Sequence, residues 1–106
     1  MVQITILKNK QGGYTGFTFK GHAGYAESGY DIVCAAVSVL VINTLNSIEA
    51  FTQDVPQVHT DEKKGLIECR FSDEICKETV LLLDSMVLGL RGIEDEYGKK
   101  YIRLTY

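Results

Sequence analysis

Apolar and polar positions alternate at the start of the chain. Val2, Ile4 and Ile6 stand against Gln3 and Thr5, the period of a half-buried strand. Asn9-Lys10-Gln11-Gly12-Gly13 supplies a turn, and alternation resumes over Tyr14–Lys20 with Thr15, Phe17 and Phe19 on one face, so the two runs predict a hairpin. After a glycine-punctuated stretch the period lengthens. Residues Ile32 to Ile42 are apolar almost throughout; beyond them Leu45, Ile48 and Phe51 keep one face apolar while Asn43, Asn46, Ser47 and Glu49 occupy the other. This predicts a helix capped by Asp31 and buried on most sides in its first half. Pro56 disfavours helix in the residue before it and carries the chain out. Gln57–Thr60 is a short strand candidate, Asp61 to Gly65 a polar turn, and Leu66–Phe71 a strand with Ile67, Cys69 and Phe71 on one face. Ser72 or Asp73 is then the expected cap of a second helix, with Ile75, Thr79, Leu82, Leu83, Met86, Leu90 and Ile93 on its inner stripe and Gly89 and Gly92 weakening its end. Lys100–Tyr106 alternates again, with Ile102, Leu104 and Tyr106 together. The order is β-β-α-β-β-α-β, and the fold class is α/β or α+β, a mixed sheet with two helices packed on it.

A chain of 106 residues supports one core and one domain, residues 1–106. Its net charge of −3 and its scattered lysines and arginines argue against direct nucleic-acid binding. Met1 to Lys8 lacks the basic and long apolar segments of a signal peptide, and the cysteines, Cys34, Cys69 and Cys76, are odd in number, so a reducing compartment is expected. The run from Ile32 to Ile42 falls short of the roughly 20 residues a bilayer needs and reads as a buried helix, without a membrane partner.

Candidate chemistry gathers in Gly21 to Ser38. With Asp31 as cap, Cys34 is the third helical residue, where free N–H groups and the helix dipole favour a thiolate and can hold an oxyanion. His22 lies twelve residues earlier in the sequence on a loop that must return to this helix, and can take the proton. The plain alternative is that Cys34 is a small core residue, as free cysteines commonly are. Gly21, Gly24 and Gly29 weigh against a purely structural connection. A zinc site from His22, Cys34, Cys69 and Cys76 lacks ligand spacing, and phosphate-binding glycine patterns are missing, so no cofactor or metal is expected. His59 reads as a surface histidine, and Cys69 and Cys76 as core residues.

The run GHAGYAESGYDIVCAAVS resembles the signature of the ribosomal-processing cysteine protease family, Prp: Gly-His-Ala, a short glycine-containing loop, then Asp, two hydrophobic residues, Cys-Ala-Ala, a hydrophobic residue and Ser. The resemblance implies a cytoplasmic, usually homodimeric endopeptidase that removes the N-terminal extension of large-subunit ribosomal protein twenty-seven through a thioester acyl-enzyme. It implies His22 as base and Cys34 as nucleophile, with Asp31 and Ser38 in support. Asp31 has two readings, a helix cap or a group that orients His22. Ser38, one turn after Cys34, either reaches the site or bonds back to the Cys34 carbonyl. Gly21, Ala23, Gly24, Tyr25, Gly29 and Tyr30 are expected to form a substrate loop, a gate that orders on a peptide contacting the two tyrosines. The rival is a noncatalytic ribosome-assembly protein that grips the same tail without turnover.

Overall fold

The structure, a computed structural model, describes residues 1–21 and 30–106, with side chains in the first helix described from Ile32 onward. The elements run β1 (Val2–Lys8), β2 (Tyr14–Lys20), α1 (Tyr30–Phe51), β3 (Gln57–Asp61), β4 (Leu66–Arg70), α2 (Lys77–Tyr97) and β5 (Ile102–Thr105). They form a five-stranded sheet of order β3-β4-β2-β1-β5. All neighbours are antiparallel except β1 and β5, which makes the sheet mixed, as expected.

Register explains how one face of this sheet becomes apolar. Ile4 sits opposite Phe19, Ile6 opposite Phe17, Phe17 opposite Cys69, and Val2 opposite Ile102. Side chains alternate across a strand, so these cross-strand partners project together. Both helices cover that face. Val33, Val37, Val41 and Ile48 of α1 join Thr79, Leu83, Met86, Val87 and Leu90 of α2 in the buried interior.

The helices themselves approach closely at Gly89. A Cβ there would press into the Leu40 side chain, so a larger residue would force α1 and α2 apart. This contact accounts for a glycine inside a helix. The helix nevertheless continues through Gly89 and Gly92 to Tyr97.

Three expectations need correction. First, α1 begins at Tyr30, so Asp31 lies inside its first turn and Cys34 is the fifth helical residue instead of the third. Second, the first half of α1 is not buried on most sides. Ile32 and Val39 are 60% and 68% exposed, and Phe51 at the far end is 77% exposed. Hydrophobicity all round a helix suggests burial all round, whereas a single sheet covers only one side. The helix does hold a 20-residue window, Ile32–Phe51, that is long and apolar enough to cross a membrane. Here its Val33, Val37, Val41 and Ile48 face is spent on the sheet core.

Third, α2 starts at Lys77, and neither Ser72 nor Asp73 caps it. The chain uses Phe71 to Ile75 to climb from the sheet to the helix layer. Cys76 is the N-cap residue without a side-chain cap bond of its own, half-buried instead of in the core. The acceptor comes from elsewhere: Asp54 Oδ2 accepts the Cys76 backbone N–H at 2.9 Å and the Thr79 hydroxyl at 2.6 Å. These hydrogen bonds, Thr79 first, hold the Asp54 carboxyl below the usual carboxylate range.

Candidate active site

Cys34 owes its position to the two faces of α1. Val33 and Val37 turn into the core, which leaves Cys34 at the border of that face, half-buried and partly open to solvent. Ser38, four residues on, is half-buried on the same side of the helix.

The residue that meets the thiol is Gly21, the buried end of β2. A methyl group built on Gly21 would stand 3.3 Å from Cys34 Sγ and 3.3 Å from Phe19 Cζ, so a larger side chain would crowd the sulfur. A second contact holds Gly21 in place. Its N–H donates to the Gly65 carbonyl at 2.9 Å, which ties the end of β2 to the β3–β4 turn. Gly65 adopts a left-handed conformation, φ +61°, and a Cβ there would collide with the Gly21 carbonyl. In sequence Gly65 is only the end of a polar turn. Its tie to Gly21 depends on the β2–β4 pairing, which no local pattern announces.

His22, Ala23, Gly24, Tyr25 and Gly29 lie outside the described residues, and so does the expected gating loop apart from its ends, Gly21 and Tyr30. Tyr30 is a correction: it is the first residue of α1, not a loop residue. The Asp31 side chain also lies outside the description; the backbone makes Asp31 the second residue of α1 instead of its N-cap, and its reading as the group that orients His22 rests on sequence. The helix start nevertheless bears on the chemistry. Within α1 the amides without an intrahelical acceptor are those of its first three residues, Tyr30 to Ile32, and Cys34 begins the second turn.

The three thiols have different surroundings. Cys69 is fully buried in β4, and burial pushes its thiol up to about 12. Cys76 Sγ lies 3.4 Å from Thr79 Oγ1 in the Asp54 cluster. Cys34 alone stands beside the glycine that leads into Gly21-His22. His59 is exposed on β3, as expected of a surface histidine.

A partly accessible thiol near a helix start, backed by a two-layer α+β core, has the surroundings of a cysteine-dependent hydrolase. A family model described as "Cysteine protease Prp" matches residues 1–103. The ribosomal processing cysteine protease Prp of Staphylococcus aureus is 35% identical over 106 residues, covering 100% of this chain and 99% of its own. A crystal structure of the S. aureus Prp in complex with a substrate peptide superposes with a TM-score of 0.93 at 34% identity, over 100% of this chain and 99% of that one. A second, with a covalently linked product peptide, gives 0.88 at 35% identity over the same shares. The chain belongs to the Prp family of ribosomal-processing proteases and is a cysteine protease.

Proposed function

We propose that this protease uses a Cys34–His22 dyad to remove the N-terminal extension of large-subunit ribosomal protein twenty-seven, in the cytoplasm and as a homodimer. The observation that supports the dyad is how near Gly21 lies to the Cys34 thiol: a Cβ on it would stand 3.3 Å from Sγ. His22 is the next residue in the chain, and successive Cα atoms are about 3.8 Å apart. The S. aureus structure with a covalently linked product peptide supports covalent catalysis within the family.

The steps follow from the residue types. His22 takes the proton from Cys34 Sγ, and the thiolate attacks the scissile carbonyl carbon. The oxyanion that forms is held by free amides of the first turn of α1, among Tyr30 to Ile32. As the C–N bond breaks, His22 returns its proton to the departing amine, leaving a thioester on Cys34. Water, deprotonated by His22, attacks the thioester; the acid product leaves and the thiol is restored. Ser38 lies one turn along from the sulfur and is assigned a supporting part.

Mass spectrometry of the extended tail peptide, incubated with wild type, Cys34→Ala and His22→Ala, tests this reading. Wild type should release one new N-terminus; Cys34→Ala should release none, while remaining folded because alanine keeps helix propensity. A Cys34→Ala protein that cuts at the wild-type rate overturns the assignment, and wild type that leaves this tail intact overturns the substrate.

The homodimer rests on the apolar residues that α1 and α2 leave uncovered: Ile32 and Val39 on one helix, Leu81 at 69% and Leu88 at 72% exposure on the other. On each helix the two lie seven residues apart, two turns, and so form a stripe that a second copy could cover.

A further inference from the structure

Beside the nucleophile runs a groove that the chemistry above leaves unused. One wall is α1. Ile42, Leu45 and Glu49 line it, and with Cys34 and Ser38 they follow at steps of four, four, three and four residues, so all five lie along one side of the helix. The opposite wall is the β3–β4 ribbon and the segment leading to it. Thr60 lies across from Ile67, which lies across from Phe19, so these three share the helix-side face with Val58. Two adjoining hollows result, of about 700 and 290 Å³, with Ile42 lining both. The first extends past Val58 to Val55 and Pro56. The second reaches Phe19, whose ring packs toward Gly21 beside the Cys34 sulfur.

We infer that this groove between α1 and the β3–β4 ribbon receives the apolar residues of the substrate on one side of the scissile bond. The inference rests on Cys34 as the nucleophile. Nearness to the thiol argues for a peptide as occupant, because Phe19 and Gly65 of the smaller hollow flank Gly21, which lies beside Cys34, and so does length. Ile42 and Leu45 are eight and eleven residues beyond Cys34, about 12 and 16 Å along the helix at 1.5 Å per residue. An extended peptide covers the same span in about four or five residues at 3.3 Å each. The lining selects the chemistry. Ile42, Val55 and Val58 are 47%, 83% and 46% exposed and offer apolar contact. Glu49, Asp54, Asp61 and Glu62 are the charged residues of the two linings, with no lysine or arginine among them. The groove therefore fits an apolar segment flanked by basic residues, and Ile42 and Val58 become specificity determinants some distance from the chemistry.

Fluorescence anisotropy of the labelled ribosomal-protein tail peptide with full-length Cys34→Ala protein reads binding apart from cleavage. Ile42→Asp and Val58→Asp, each added to Cys34→Ala, should raise Kd at least tenfold, whereas Asp95→Asn, at an exposed position of α2, should leave it within twofold. Circular dichroism and thermal unfolding confirm that each variant is folded; for a variant that is not, Ile42→Ser or Val58→Ser is read in its place. Replacing the peptide's apolar residues four and five positions from the cut with serine should weaken binding to the parent, with little further loss on Val58→Asp. Unchanged affinity in the folded groove variants overturns the inference, as does a parent protein that fails to bind the tail. Groove variants that alter sedimentation while keeping peptide affinity also overturn it, and assign the groove to a second copy of the chain. If binding follows the groove but wild type does not cut, the dyad assignment fails and the groove stands.

Discussion

At the scale of single residues, the contrast between Cys34 and Cys69 is one of environment. The Cys69 thiol is sealed under the sheet and raised to about 12, so at neutral pH its reactive thiolate is scarce and inaccessible. Iodoacetamide at pH 7.5, about a unit below the ordinary thiol value, should modify Cys34 in the folded protein and leave Cys69 untouched until denaturant is added. Peptide mapping by mass spectrometry checks this, and rapid labelling of Cys69 in native protein would contradict the burial. Gly21 allows a sharper test. A methyl group 3.3 Å from the sulfur is tighter than an ordinary contact, and the chain must shift to admit it. Displacements of about 1 Å at an active site can reduce rate about a hundredfold. Gly21→Ala asks its neighbours to give by only a fraction of that, so it should lower kcat/KM by roughly three- to tenfold with thermal stability nearly unchanged; wild-type kcat/KM would mean that the Cys34 position is not critical.

At the scale of elements, the start of α2 shows a local signal being overruled. Ser72 and Asp73 have the right chemistry for an N-cap, yet the helix opens at Lys77 and takes its acceptor from Asp54, 22 residues before Cys76. Asp54→Asn keeps the shape but loses the charge, and should lower stability by about 1 kcal/mol at neutral pH, the usual scale of a lost cap at a partly exposed site. The sign of the pH dependence follows from the lowered carboxyl. With its folded value below the unfolded value of about 3.9, Asp54 contributes fully above pH 4 and loses that contribution as pH falls through the folded value. Denaturant titrations should show the gap between wild type and Asp54→Asn narrowing below pH 4. A gap that widens there would reverse the assignment.

At the scale of the whole molecule, two helices on one sheet face leave apolar residues uncovered. Ile32 and Val39 are seven residues apart, two turns of α1, and so form one stripe. If a second copy covers them, Val39→Asp should shift the protein from dimer to monomer in sedimentation velocity, with its secondary structure intact. A dimer that persists unchanged would place the interface elsewhere.

The sequence by itself determined the element order, the inward positions of β1, β2 and β5, and the motif with Cys34, because period two, period 3.6 and a glycine-rich start to a helix are written in neighbouring residues. It did not determine how much of each helix the sheet covers, which is why α1 reads as buried nearly all round although Val39 stands in solvent. Nor did it announce the Asp54 acceptor, the Gly65–Gly21 tie, or the stripe joining Cys34 to Leu45 and the β3–β4 ribbon. Each of these joins residues far apart in the chain. Their distances are set by strand order and by helix packing on the sheet, so only the tertiary structure could decide them.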